Sequence, residues 1–194
     1  MKELSSCIGI DISKDTFHVC VKQLVSERVV VKGSHSFENS HKGFAECLRW
    51  SLSKAITPVF VMEATGIYHE ELTHFLYENG KSVAVVLANK IKHFAKSLNV
   101  KTKTDKADAA VIAQYGLERN PQLWQPMMPQ MKTLRDLCRE RLSLKKDLVR
   151  CKCQIHNFRH AYGTLEFVSQ MKQNQIAFLE QSVQSIENEI KRIT

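Results

Sequence analysis

The sequence predicts an α/β domain with a mixed sheet, followed by a pair of long helices. Three β-rich runs with short polar connections open the chain, and two further apolar runs then alternate with helical segments. Beyond residue 130, apolar residues recur three and four positions apart, which is the spacing of packed helices. We therefore expect two domains within the 194 residues.

The first domain is predicted over residues 1–119, with the element order β-β-β-α-β-α-β-α. Hairpin connections make its first three strands antiparallel, whereas the later strands follow crossover helices. Thr65 is a predicted N-cap, and Gly80 is predicted just past the end of the same helix. The predicted strands lie at 7–13, 16–24, 27–37, 58–65 and 82–88, and the helices at 41–55, 67–79, 89–99 and 105–118.

A linker is predicted at residues 120–130, where prolines stand at 121, 126 and 129. Residues 131–194 then carry two heptad seams around Gly163, which predicts an antiparallel coiled-coil hairpin. The seams are Leu137, Arg141, Leu144, Leu148, Cys151, Ile155, Phe158 and Tyr162, then Ile176, Leu179, Val183, Ile186, Ile190 and Ile193. The last residues are still in heptad register, so we expect the protein to continue into a further C-terminal domain.

The charge distribution favours a polyanionic partner. The chain carries a net charge of +8, and residues 120–163 hold nine basic side chains against three acidic ones. No segment approaches the roughly 18 apolar residues of a membrane helix, so no membrane association is expected. Six cysteines without a paired framework, and an N-terminus that runs directly into a strand, indicate a cytoplasmic protein.

Four acids stand where the predicted elements would direct them to one place: Asp11, Glu63, Asp105 and Asp108. Taken singly they are weak signs, because a strand-end acid often serves a turn and two acids often begin a helix. Carboxylates that converge repel each other unless a cation neutralises them, and all-oxygen ligands suit Mg²⁺ or Mn²⁺. In this element order, the four acids predict a ribonuclease H-like nuclease core with two bound ions.

Three motifs resemble one family. The stretches "GIDISKDTFHVCV", "VMEATGIYHEELTHFLYENG" and "KTDKADAAVIA" are similar to the bacterial insertion-sequence transposases with an N-terminal DEDD (RuvC-like) domain, which include the Piv-type DNA invertases. The resemblance extends through the basic helix and implies a tetrad of Asp11, Glu63, Asp105 and Asp108. One departure is Ala88-Asn89, where many relatives have Asn-Pro.

The resemblance also implies partners. It implies DNA recombination guided by a structured bridge RNA, a homo-oligomer (dimer or tetramer) assembled through the coiled coil, and location at the bacterial nucleoid when bound. A serine nucleophile would lie in a C-terminal domain beyond residue 194, so this chain is expected not to complete strand exchange by itself.

Basic residues near the acids and on the first heptad helix are candidate nucleic-acid contacts, although solvated helix faces would carry similar charges. The candidates are Lys90, Lys92, Lys96, Lys101, Lys103, Lys106, Arg135, Arg139, Lys145, Lys146, Arg150 and Arg159. A zinc site at "CKCQIHNFRH" is disfavoured, because the Cys-x-Cys spacing on a helix directs the thiols to different faces.

The functional prediction is a Mg²⁺-dependent DNA transposase or recombinase. A self-sufficient nuclease resembling a Holliday-junction resolvase is the enzymatic alternative, since it would need only the acids and metal. A non-catalytic fragment that binds nucleic acid or dimerises is the other alternative. An actin-like sugar kinase ranks last, because no glycine-rich phosphate loop follows Asp11.

Overall fold

A computed structural model describes residues 5–64, 66–99, 104–160, 162–163 and 166–193, apart from the side chain of Arg159. The chain divides into two compact units, Met1–Pro126 and Met127–Thr194. The division falls inside the segment that the sequence predicts as a linker. Across the described ranges, every helix is too short or too polar to cross a membrane.

The first unit contains a five-stranded mixed sheet in the part of the chain that the structure describes. The strand order is β3-β2-β1-β4-β5, with β1, β2 and β3 antiparallel and with β4 and β5 parallel to β1. The elements are β1 (Ser6–Ile12), β2 (Thr16–Val25), β3 (Arg28–Glu38), α1 (His41–Leu52), β4 (Val59–Ala64), α2 (Glu70–Glu78), β5 (Ser82–Leu87), α3 (Ala88–Ser97) and α4 (Asp105–Arg119). This confirms the predicted mixed α/β fold.

Alternation along the central strands divides the core into two layers. Ile8 and Ile10 of β1 pack with Phe60 of β4 in the larger cluster, which includes buried residues of α1 and α2. Cys7 of β1 and Val61 of β4 point to the other face, in a cluster with residues of α3 and α4. Every second residue of β1 and β4 therefore lies under α3 and α4.

Helix α4 lies unusually close to β1. A Cβ atom on Gly9 would overlap the backbone of Ala109 and Ala113, and one on Gly116 would overlap the Cys7 and Val61 side chains. The Nζ of Lys22 on β2 also donates a hydrogen bond to Oε1 of Gln114, at 2.9 Å. Because Gly9 and Gly116 have no side chains, α4 packs against the strands more closely than a Cβ atom at either position would allow.

The bounds of α2 differ from the prediction. The helix begins at Glu70 rather than at residue 67, because residues 67–69 form turns and His69 is its N-cap without a side-chain cap hydrogen bond. The predicted N-cap, Thr65, lies outside the described residues. The predicted glycine at the other end is confirmed, since Gly80 follows the helix with a φ of 69°.

The second unit consists of α5 (Pro129–His160) and α6 (Glu166–Ile193) in the described residues. The ion pairs Lys152–Glu180 (2.7 Å) and Lys145–Glu187 (2.9 Å) join the helices, and their numbering shows that the helices run antiparallel. Seam residues are buried on both helices, namely Cys151, Ile155, Leu179 and Val183.

Two seam positions behave differently from the apolar ones. The Arg141 guanidinium lies 2.7 Å from the Glu187 carboxylate, so the polar seam residue is neutralised across the helix pair. Tyr162 was predicted as the last residue of the first seam, and this is wrong. It lies beyond the end of α5 and is fully exposed, because the helix stops at His160. The coiled-coil geometry of the pair stays a prediction.

Candidate functional site

Strands β1 and β4 bring two of the four predicted acids together. The parallel ladder pairs Ile10 with Met62, so the next residues along, Asp11 and Glu63, are neighbours at its end. Since Ile10 and Met62 face the layer of α1 and α2, the alternation of the strands directs both acids to the opposite face. That face is the one that α4 covers.

The start of α4 supplies the other two acids. Thr104 is the N-cap, and its Oγ1 accepts a hydrogen bond from the Ala107 amide at 3.2 Å. Asp105 and Asp108 lie in the first turn, where negative charge is favoured by the unpaired amides. The helix-start interpretation is therefore right for this pair, and it does not exclude a second role.

Three of the four predicted acids act electrostatically on the carboxyl group of the fourth, Asp11. The pKa of Asp11 is raised from 3.8 to about 6, mainly by burial and then by the charges of Asp108, Asp105 and Glu63, in that order of strength. The nearby His18 acts in the opposite direction on this pKa. Asp108, Asp105 and Glu63 therefore lie close enough to Asp11 to affect its pKa.

The sequence interpretation missed His18, which it treated as an ordinary strand residue. His18 pairs with Asp11 across the β1–β2 hairpin, and opposite residues of an antiparallel pair share a face. Its Nδ1 lies 3.7 Å from Oδ2 of Asp105. The available signal was the short connection after Ile12, since a symmetrical hairpin about residues 14 and 15 places 11 opposite 18.

The donor chemistry of the four acids fits a hard cation. All four offer carboxylate oxygens, the ligands that Mg²⁺ and Mn²⁺ prefer, and a cation would relieve their repulsion at Asp11. As placed, no three His, Cys, Asp or Glu side chains of the described residues form a group that could hold a metal ion. The other three carboxylates therefore affect the pKa of Asp11, but they do not converge with it into a metal-binding geometry.

The predicted nucleic-acid contacts of the first unit fall into two groups. Four are exposed lysines: Lys90, Lys92 and Lys96 on α3, and Lys106 on α4 beside Asp105. Lys101 and Lys103 lie outside the described residues.

The basic residues of α5 are also distributed unevenly. Arg139, Lys146 and Arg150 are exposed, although Arg150 contacts Asp147 at 2.8 Å. Arg135 contacts Asp136 at 3.0 Å, and Lys145 contacts Glu187, so these two already have acidic partners. For Arg159 only the backbone is described.

The thiols of α5 point in different directions, as the sequence predicts. Cys151 is buried and Cys153 is exposed. The residues that suggested a zinc site are therefore divided between the helix seam and the surface.

Comparisons with known proteins cover most of the chain. A family model described as a transposase, of the IS110 type with a DEDD motif, matches residues 8–162. The pilin gene-inverting proteins of Moraxella lacunata and Moraxella bovis are each 36% identical over 146 residues, which covers 74% of this chain and 44% of the relative. The chain thus spans less than half the length of these curated relatives.

A solved structure with partial likeness is the Holliday junction resolvase of fowlpox virus. It is 10% identical, with a TM-score of 0.41, and the alignment covers 59% of this chain and 98% of the viral one.

Proposed function

Because the chain belongs to the IS110 DEDD transposase family, we propose that it acts in DNA recombination through metal-dependent phosphodiester chemistry. The carboxylates of Asp11, Glu63, Asp105 and Asp108 are the proposed catalytic groups. The first unit is proposed to be a ribonuclease H-like (RuvC-like) core, since its mixed sheet has the element order that the motifs imply.

One observation carries the proposal. The pKa of the Asp11 carboxyl is raised to about 6 by burial and by the charges of the other three acids. A structural carboxylate usually has a cationic partner, whereas here three further acids act on the same group. Such clusters are typical of functional sites, because they sacrifice stability for a ligand that neutralises them.

The four acids would hold one or two Mg²⁺ or Mn²⁺ ions. When bound, such ions polarise a phosphodiester and stabilise the attacking and leaving oxygens. Thr104 and the close packing of α4 position Asp105 and Asp108. Lys106 follows Asp105 and is exposed, so its ammonium would contact a phosphate of the bound strand.

The nucleic-acid partners proposed are DNA and a structured guide (bridge) RNA. The exposed cations of α3 and α5 would contact phosphates without reading sequence. The helix pair of the second unit is proposed to assemble a dimer or tetramer through coiled-coil contacts, and its excess of basic residues supports a role beside nucleic acid.

Metal binding is the first test. We expect Mn²⁺ titration by calorimetry to show binding to the wild-type chain and a loss of at least tenfold in affinity for Asp11→Asn and Asp108→Asn. Asp15→Asn is the matched control, because Asp15 is exposed and lies on the connection just past β1. Equal affinity in all four proteins would contradict the proposed role of the acids.

Cleavage is the second test, since it separates the proposed function from its alternatives. Labelled duplex and four-way-junction DNA are incubated with the chain and Mg²⁺, with and without guide RNA. Metal-dependent cutting of junctions alone, lost in Asp11→Asn, would favour a resolvase-type nuclease. Binding that is unaffected by Asp11→Asn and Asp108→Asn, with no cutting under any condition, would favour a non-catalytic role.

A further inference from the structure

Two adjoining cavities lie in the first unit, apart from the four acids: the larger is lined in part by β5, and the smaller lies between α3 and α4. Their volumes are about 450 Å³ and 380 Å³, and both are lined by Lys90, Tyr115 and Arg119. Cavities of this size are within the range of small-molecule sites. The three shared residues form the boundary between the two cavities, so one ligand can contact both.

The larger cavity exists because the chain returns to the sheet after α4. The Trp124 amide donates a hydrogen bond to the Val83 carbonyl at 2.7 Å, which places residues 120–124 along the outer edge of β5. The Trp124 ring is fixed edge-on against His74 and Tyr77, with centroid distances of 4.9 and 5.5 Å. The cavity wall is therefore anchored to α2 as well as to β5.

The lining combines positive charge with flat apolar surface. The Arg119 guanidinium lies over the Phe94 ring, 5.7 Å from its centroid, and Tyr115 packs edge-on against the same ring at 5.3 Å. Lys90, His93 and Arg119 are exposed. Among the described residues that line the two cavities, none is acidic. A ligand that fits this lining is anionic and carries a flat ring.

We propose that these cavities bind an unpaired nucleotide of a single-stranded nucleic acid. Tyr115 would stack on the base, and Lys90 and Arg119 would contact the adjacent phosphates, which is how single-strand sites combine rings and cations. Asn120 and Gln122 also line the larger cavity, and the amide groups of such side chains can form hydrogen bonds with a base edge. A base in a duplex is stacked and paired, so it would not enter.

The position of the cavities links them to the acids. The sheet register pairs Glu63 with Val86 and Ala64 with Leu87, so the cavity wall begins one strand away from Glu63. The larger cavity therefore lies at the same end of the parallel strands as Glu63. The choice of ligand rests on the proposed function, whereas the cavity chemistry does not involve the acids.

The test measures binding without metal, so that the acids do not contribute. Fluorescence anisotropy in EDTA would follow single-stranded DNA, single-stranded RNA and duplex DNA of about 12 nucleotides. We expect Tyr115→Leu and Arg119→Gln each to weaken single-strand binding by about tenfold, with duplex binding unchanged. Tyr115→Phe keeps the ring and is expected to bind as the wild type does.

Arg49→Gln is the matched control, since it removes the same charge from an exposed position on α1, on the other face of the sheet. Arg119 is exposed, so its variant is expected to fold even if Tyr115→Leu does not. A preference for RNA or DNA identifies the source of the strand, and either preference supports the site.

Three results would overturn the proposal. The first is a wild-type chain that does not bind single strands, and the second is a variant set that binds them as well as the wild type. The third is an equal loss in Arg49→Gln or on duplex DNA, which would indicate general charge attraction. None of these results affects the Mn²⁺ titration, so the proposed metal function would be judged separately.

Discussion

Replacing Asp11 by asparagine is expected to stabilise the first unit in the absence of metal. The substitution keeps the shape of the side chain and removes the charge on which burial, Asp108, Asp105 and Glu63 all act. Substitutions in a folded domain usually destabilise it, so a gain in stability is a specific expectation.

The size of the gain follows from the pKa. The rise from 3.8 to about 6 corresponds to about 3 kcal/mol, at about 1.4 kcal/mol for each pH unit. The Asp11 side chain is partly exposed, so solvent screening lowers the expected gain to about 1–2 kcal/mol. That is a rise of about 3–6 °C in melting temperature.

The stability difference between Asp11→Asn and the wild type should depend on pH. A carboxyl whose folded pKa is raised favours the folded state while it is protonated, and this advantage disappears as the pH rises through the folded value. Asp11→Asn should therefore match the wild type below pH 3.8 and gain between 3.8 and about 6. Its advantage should be complete at pH 8.

The assay uses the two tryptophans, Trp50 and Trp124, which both lie in the first unit. Thermal unfolding followed by their fluorescence therefore reports on this unit alone. Measurements in EDTA at pH 4 and pH 8 give the electrostatic difference. Addition of Mg²⁺ should stabilise the wild type more than the variant, because a ligand that binds the folded state raises its stability by mass action.

Two results would refute the reasoning. One is an Asp11→Asn chain that is less stable than the wild type at pH 8 in EDTA. The other is a difference that is the same at pH 4 and pH 8, since the origin would then not be a titrating carboxyl. Asp15→Asn should change neither measurement.

Two further predictions concern packing and the helix pair. Gly9→Ala should lower the melting temperature of the first unit by several degrees and weaken Mn²⁺ binding by displacing α4; unchanged metal affinity in a folded variant would contradict this. Hydrogen bonds from Lys145 and Arg141 lower the pKa of Glu187 from 4.5 to about 2, so their stabilisation is present above pH 4.5 and is lost as the pH falls toward 2. In thermal unfolding followed by circular dichroism, Glu187→Gln should lose helix at a lower temperature than the wild type at pH 5 and at the same temperature at pH 2. Equal unfolding temperatures at pH 5 would show that the ion pairs contribute nothing to stability.

Local pattern was sufficient to predict most of the elements. Strands β1, β2 and β3 each begin and end within one residue of the expected bounds, because their apolar runs stop at polar connections. The N-terminus of α4 was predicted at Asp105, where Thr104 supplies the cap. The start of α2 was misjudged because residues 67–69 have helical composition but form turns.

The features that were not predicted from the sequence depend on contacts between segments far apart in the chain. His18 reaches Asp105 across 87 positions of sequence, and only the hairpin register hints at its place. The cavity around Tyr115 forms because residues 120–124 return to β5. The proline-rich sequence of this segment predicts a linker but not that contact. The charge partners could not be predicted either, since Lys145 was predicted only as a nucleic-acid contact and the structure places it against Glu187.

The glycines under α4 affect how collections of inactive variants should be interpreted. Neither Gly9 nor Gly116 has a side chain that touches substrate, yet a single methyl group at either position meets atoms of the opposite element. If the proposed metal site is correct, a random screen for lost Mn²⁺ binding would therefore return these glycines together with the acids. Mapped onto the sequence, the result would add to the proposed metal site two residues that only set the spacing between α4 and the strands.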